Sequence, residues 1–137
     1  MGGESKQWVA VTVLVFRGGR MLSMRRSSTQ QAGAGLWEGV SGRVQVGEDP
    51  VSAARREVRE ETSLDVVVHP RPVTAYAALR RGEPMTVVVF AAEHERGEVV
   101  LSDEHDDFRW CEPEELSELG VPVQLADAAR VAWPASA

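Results

Sequence analysis

The residues of this chain that are best suited to chemistry are three glutamates near the end of a predicted helix. The segment ARREVREETS, residues 54–63, places Glu57, Glu60 and Glu61 three and four positions apart, on one arc of the helix. Each like-charge pair at this spacing opposes helix formation by about 0.2–0.5 kcal/mol, and the negative end of the helix dipole adds to that penalty. Hard divalent cations prefer oxygen ligands and would convert the repulsion into binding. The cluster therefore indicates a metal site, with a solvated acidic face balanced by arginines as the alternative.

The helix that carries these glutamates has clear start signals. Asp49 is a favourable N-cap residue and Pro50 suits the first helical position, so a helix is predicted from there to about Thr62. Arginines occupy a second side of this helix. Its apolar stripe, which would face the core, consists of Val51, Ala54, Val58 and Thr62.

Strand-like segments precede and follow this helix. Two strands are predicted around the turn RGGR in QWVAVTVLVFRGGRMLSMRR, and further strands in LDVVVHPRPVTAYAAL and MTVVVFAAEH. LWEGVSGRVQVGE is interpreted as irregular, and LSDEHDD as an acidic loop before the short strand FRWC. EPEELSELG and VQLADAARVAW predict two closing helices, the last ending near Pro134. We expect one mixed α/β domain over residues 1–137.

Composition excludes several classes of protein. The formal net charge of −6 argues against a surface for nucleic acid polymers, which needs a basic stripe. Apolar runs have strand length and are too short to span a membrane. The polar start MGGESKQ does not fit a signal peptide, and the single cysteine, Cys111, excludes an internal disulfide and a cysteine-based zinc site. A cytoplasmic protein is the expectation.

The segment that starts at Gly42 carries a recognisable pattern. It reads GRVQVGEDPVSAARREVREETSL and resembles the Nudix box of the Nudix hydrolase family, G-x5-E-x7-R-E-U-x-E-E-x-G-U, where U is aliphatic. Ser63 stands where the box has glycine, and Val40-Ser41 precede Gly42 where relatives often have Pro-Gly. Eight of the nine specified positions match: Gly42, Glu48, Arg56, Glu57, Val58, Glu60, Glu61 and Leu64.

The resemblance implies a fold, an activity and a cofactor. The fold would be the Nudix α/β/α sandwich with a mixed central sheet. The activity would be hydrolysis of a nucleoside diphosphate linked to another group, with Mg2+ or Mn2+ as cofactor. Arg56 would hold a carboxylate in place through its planar fork. The implied metal ligands are the Ser41 carbonyl, Glu48, Glu57, Glu60, Glu61 and Glu104.

Other roles are less constrained by the motif. The general base is either Glu57 or Glu104, and Asp103 or Asp106 could replace Glu104 in its loop. Arg25 at the end of the second strand could hold substrate phosphates. Trp37 could stack on a base or simply pack in the core. Of the three histidines, only His105, next to Glu104, is a candidate for the site.

Subfamily patterns for particular substrates are missing. Relatives that cleave ADP-ribose tend to have a proline where Arg80 stands, and Tyr76 lies too early for the dinucleoside polyphosphate pattern. A MutT-like pyrophosphatase acting on (d)NTPs is slightly favoured by the small size and by Arg25-Arg26. The alternative is a Nudix-like module that senses a nucleotide without cleaving it. An isoprenoid diphosphate isomerase would need a cysteine earlier than Cys111. Both a monomer and a homodimer remain open.

Overall fold

The helix with the glutamate cluster forms where its local signals predict it. In the computed structural model, which describes residues 5–30 and 32–133, α1 covers Pro50–Thr62. The Asp49 side chain caps its first turn by accepting a hydrogen bond from the Val51 amide at 3.0 Å. The helix ends at Ser63, whose φ of 67° is left-handed. Without the glycine of the motif, this conformation carries a strain of about 1 kcal/mol.

The strands and remaining helices lie on both sides of α1 in the chain. Two closing helices were predicted, and the structure confirms them as α2, Pro113–Leu119, and α3, Val123–Ala132. Pro134, near which we expected α3 to end, lies outside the described residues. None of the helices in the described residues is both long and apolar enough to cross a membrane. The strands are β1 Trp8–Arg17, β2 Arg20–Arg26, β3 Trp37–Glu38, β4 Val40–Arg43, β5 Asp65–Val68, β6 Thr74–Arg80, β7 Glu83–Arg96 and β8 His105–Cys111.

Two predictions about the loops are wrong. LWEGVSGRV is not irregular, because β3 pairs with β2 and β4 pairs with β1 in spite of the glycines between them. The strand after the acidic loop does not begin at Phe108 but at His105, and its first residues pair with Arg25 and Arg26 of β2. Strands β3 and β4 and the first residues of β8 form through backbone bonds to distant segments, so local composition gives no sign of them.

The sheet is mixed and covered by helices on both faces. Strand β1 pairs in parallel with β7, from Trp8 opposite Met85 to Phe16 opposite Glu93, and the other pairings are antiparallel. Alternate β1 residues face opposite sides: Val11 and Val13 pack in the core with α1, and Leu14 packs in the core with α2 and α3. The predicted α/β/α sandwich with a mixed sheet is confirmed.

Candidate active site

Arg56 is the centre of the glutamate cluster. Its Nε and Nη2 donate to the two oxygens of Glu48 at 2.7 and 2.9 Å, and Nη1 donates to Glu57 at 2.9 Å and Glu60 at 3.1 Å. A second bond from Nη2, to the Arg43 carbonyl at 3.0 Å, engages the fifth and last N–H of the guanidinium. The hydrogen bonds from Arg56 lower the pKa of Glu48 to about 2. Arg56 thus fixes three carboxylates at once, which a lysine with three donors cannot do.

Gly42 provides the space for one of these carboxylates. The carboxyl group of Glu57 lies directly against the Gly42 backbone, so that a methyl group at this position would overlap all three of its terminal atoms. The φ of Gly42 is not among the positive values of this chain, so the requirement for glycine here is steric. The first glycine of the motif is therefore explained by contact with its second glutamate.

The three clustered glutamates lie in different environments. The side chain of Glu60 is 57% exposed, that of Glu57 is 13% exposed and that of Glu61 is 5% exposed. Burial, followed by the neighbouring Glu57, raises the pKa of Glu61 well above its ordinary value. Among the described residues no hydrogen-bond donor reaches Glu61 Oε2, which is buried. Such an atom needs a proton or a cation.

The loop before β8 brings Glu104 to this cluster. Backbone amides of Val100 and Ser102 donate to the last carbonyls of α1, at Thr62 and Glu61, over 2.9 and 3.2 Å. On the other side, the Ser27 amide donates to the Glu104 carbonyl at 2.8 Å. The loop therefore closes the open end of α1 and is tied to the end of β2. These bonds fix the backbone of Glu104 while its side chain stays exposed.

His105 and Glu38 also belong to this cluster, although the sequence gave no reason to place them together. His105, whose side chain is fully buried, has Nε2 at 2.9 Å from Glu38 Oε2 and Nδ1 at 3.9 Å from Glu61 Oε1. Glu38 also accepts a hydrogen bond from Arg26 at 3.2 Å. The sequence suggested His105 only through its position after Glu104, and gave no signal for Glu38.

A cleft of about 540 Å³ opens beside these residues. Four of the predicted ligands, Ser41, Glu57, Glu60 and Glu104, line it together with Gly42 of β4. Its volume is in the range of small-molecule sites. Other lining residues include Arg43, Tyr76, Arg80 and Met85.

Arginines at this cleft are held by an aromatic side chain. The guanidinium carbons of Arg43 and Arg80 lie 5.0 and 4.7 Å from the centre of the Trp8 ring. Stacking of this kind orders the two cations without using their hydrogen-bond donors. The sequence did not predict Arg80 and Tyr76 as site residues, because there they only fail to match two substrate patterns of the family.

Five predicted site residues do not line the cleft: Arg56 and Glu61, described above, and Glu48, Arg25 and Trp37. Glu48 contacts Arg56 behind the cluster. Arg25 pairs with Asp106 at 2.7 Å and lies 6.0 Å from the centre of the Trp37 ring, across the pairing of β2 with β3. Trp37 lines a separate cavity of about 450 Å³ with Arg26 and Glu38. The geometry thus gathers the acids of the motif but not the two residues expected to bind substrate.

The donor set fits divalent cations. Ligand atoms of Glu61, Glu104 and His105 all lie within 4.8 Å of one another. Glu57 and Glu60 lie on α1, as Glu61 does, and line the adjoining cleft. Oxygen-rich clusters with a buried unpaired carboxylate oxygen are suited to Mg2+ or Mn2+.

Comparison with known families decides the relationship. The family model of the NUDIX domain matches residues 6–132. The chain belongs to the Nudix family. The Nudix fold expected from the motif is also that of the MutT protein from Methanosarcina mazei Go1, with a TM-score of 0.80, 26% identity and coverage of 95% and 96% of the two chains.

Two curated relatives of this Nudix chain carry nucleotide-hydrolase names. An oxidized purine nucleoside triphosphate hydrolase of Danio rerio is 39% identical over 94 residues, 67% of this chain and 58% of that protein. The CTP pyrophosphohydrolase of Escherichia coli K12 is 31% identical over 117 residues, 85% of this chain and 83% of that protein. The match thus spans less than two thirds of the Danio rerio protein, but most of the bacterial one.

Proposed function

We propose that the protein is a divalent-cation-dependent hydrolase that cleaves the diphosphate linkage of a nucleoside diphosphate linked to another group. The observation that carries this proposal is the convergence of Glu57, Glu60 and Glu104 on one cleft, with the buried Glu61 beside them. Nucleotide hydrolases among the relatives support it. A structural ion-pair network would not need an unpaired buried carboxylate.

The acidic residues of the cluster have two roles, cation binding and positioning of Arg56. Glu57, Glu60, Glu61 and Glu104 would hold the cations, and the Ser41 carbonyl would complete the set from β4. Bound divalent cations neutralise charge on a diphosphate and make a coordinated water more acidic. Glu48 acts through Arg56, because both of its oxygens are engaged there.

The general base is one of two carboxylates at the cleft. Glu57 Oε1 already accepts a hydrogen bond from Arg56 at 2.9 Å, so part of its acceptor capacity is in use. The Glu104 carboxylate is exposed, and no hydrogen bond to it arises within the described residues. We therefore assign proton removal from the attacking water to the Glu104 oxygen that does not bind a cation, and orientation of that water to Glu57.

Nucleoside triphosphates are the substrates that the cleft supports best. Arg43 and Arg80, both stacked on Trp8, supply two cations for a phosphate chain, and Tyr76 offers a face for a base. The names of the Danio rerio and Escherichia coli relatives include triphosphate substrates. Arg25 and Trp37 would then contact only a substrate group that extends out of the cleft.

A substrate screen tests this proposal. The protein is incubated with (d)NTPs, nucleotide sugars and dinucleoside polyphosphates in Mg2+ or Mn2+, and products are identified by chromatography. We expect a (d)NTP to yield the monophosphate and pyrophosphate, with turnover abolished by EDTA. Glu60→Gln serves as the inactive variant and Glu118→Gln, exposed on α2, as its matched control. Metal-dependent binding of these nucleotides without turnover by the wild type would refute hydrolysis and favour a sensing module.

A further inference from the structure

We propose that His105 is a direct ligand of a divalent cation, through Nδ1, in a mixed nitrogen and oxygen site shared with Glu61 and Glu104. The inference rests on the proposed function, because it concerns the same metal cluster. It differs from the oxygen ligands that the sequence motif supplies. Glu38 is assigned the role of orienting the imidazole.

The contact of His105 Nε2 with Glu38 identifies the tautomer of the imidazole ring. Nε2 lies 2.9 Å from Glu38 Oε2, an atom that also accepts from Arg26 at 3.2 Å. An ionised carboxylate only accepts hydrogen bonds, so the proton of this contact belongs to Nε2. In the neutral ring Nδ1 then carries a lone pair. Metal-binding histidines commonly donate their other ring N–H to a carboxylate in this way.

The Nδ1 atom of His105 lies near the Glu61 carboxylate without a hydrogen bond to it. Nδ1 lies 3.9 Å from Glu61 Oε1, which is too long for a hydrogen bond. The side chains are 0% and 5% exposed, and within the described residues neither Nδ1 nor Glu61 Oε2 has a hydrogen-bond partner. Two buried acceptors facing each other repel unless a proton or a cation lies between them.

The separation suits an ion. Bonds from a metal to nitrogen or oxygen are about 2.0–2.2 Å long, so two ligands of one ion can lie up to about 4.2 Å apart. The 3.9 Å between Nδ1 and Glu61 Oε1 falls within this limit. A Glu104 oxygen belongs to the same group, whose ligand atoms lie within 4.8 Å of one another. The exposed Glu104 side chain can make the small movement that brings this oxygen within the limit.

A nitrogen ligand changes which cation is preferred. Mg2+ favours oxygen ligands and keeps its waters, whereas Mn2+ and Co2+ accept imidazole more readily. His105→Gln should therefore raise the dissociation constant of Mn2+ by at least about tenfold and change that of Mg2+ by less than about threefold. Glu38→Gln should weaken Mn2+ binding by about tenfold, because the ring loses its orienting acceptor.

Pulsed electron paramagnetic resonance of bound Mn2+ tests ligation directly. The wild-type protein is prepared unlabelled and with 15N-histidine, so the measurement does not depend on a variant that folds. We expect a 14N coupling typical of a bound imidazole, replaced by a 15N coupling on labelling. His69→Gln is the control, because that side chain is 57% exposed, and it should leave both the coupling and the Mn2+ affinity unchanged.

The outcomes separate this inference from the proposed function. Mn2+ that binds and supports turnover but shows no histidine coupling overturns the ligand assignment and leaves the hydrolase proposal intact. His105 would then act only as a buried hydrogen-bond donor to Glu38. Failure of Mn2+ to bind at all overturns both. Coupling that persists in His105→Gln would place the nitrogen on another histidine and also refutes the assignment.

Discussion

A single methyl group at Gly42 should separate activity from stability. In Gly42→Ala the added carbon would lie 2.1 Å from the Glu57 carboxyl carbon, which must move by about 1.4–1.9 Å to restore van der Waals contact. A displacement of that size in a catalytic group can lower activity about a hundredfold, equivalent to about 2.7 kcal/mol of transition-state stabilisation. The Glu57 carboxylate is the end of a flexible side chain, so the backbone of β4 does not need to shift.

Stability should not follow activity in this variant. Replacing glycine by alanine at an unstrained φ stabilises a protein by about 0.4–1 kcal/mol, because the unfolded chain loses freedom. That gain offsets the weakened contact between Glu57 and Arg56. We expect the melting temperature of Gly42→Ala to lie within about 2–4 °C of the wild type, measured without metal.

The assay compares kcat/KM and melting temperature in matched variants. Gly39→Ala is the control, since its methyl group would meet a Leu125 methyl at 3.2 Å, away from the glutamates, and should leave kcat/KM unchanged. In a Glu57→Gln background, Gly42→Ala should add little further loss, because both changes act on one side chain. Wild-type kcat/KM in Gly42→Ala, or additive losses in the double variant, would refute the steric argument.

Three further predictions concern charged side chains. Glu60→Gln and Glu61→Gln should each lower turnover at least about a hundredfold. Only Glu61→Gln should raise the melting temperature in EDTA, because its carboxylate is 5% exposed and that of Glu60 is 57% exposed; equal shifts would contradict this. Glu104→Gln should lower turnover and change the free energy of unfolding by less than about 0.5 kcal/mol, and wild-type kinetics would remove it from the site. Arg59 hydrogen bonds lower the pKa of Asp65, so this pair stabilises the fold above the unfolded-state pKa of about 3.9 and loses its effect at lower pH. The melting-temperature difference between wild type and Asp65→Asn should shrink from about pH 7 towards pH 3, and a constant difference would exclude the pair as its source.

Elements with local signals were predictable from the sequence. The bounds of α1 follow from Asp49 and Pro50, whose capping and φ preferences act within one turn. Strands β3 and β4 were missed because their partners, β2 and β1, are distant segments, while Gly39 and Gly42 weaken the local strand pattern. The start of β8 was missed for the same reason.

The candidate site was predictable along the helix but not across the sheet. Helical spacing grouped the three glutamates of α1, and the resemblance to the Nudix box added Arg56, which the structure joins to Glu57 and Glu60. The contact between Glu38 and His105 joins β3 to β8, and no periodicity relates two residues so far apart in the chain. Only an observed fold could bring them together.

The burial of Glu61 argues against the alternative interpretation of the glutamates as a solvated acidic face balanced by arginines. A solvated acidic face requires each carboxylate to meet water or an arginine. Glu57 and Glu60 meet Arg56, but Glu61 is 5% exposed, and the described contacts give it His105 at 3.9 Å and no arginine. Burial of an ionised carboxylate without a partner is strongly unfavourable. Glu61 is therefore either a protonated acid, which carries no charge with which to bind a metal ion, or a carboxylate that a cation stabilises when it binds.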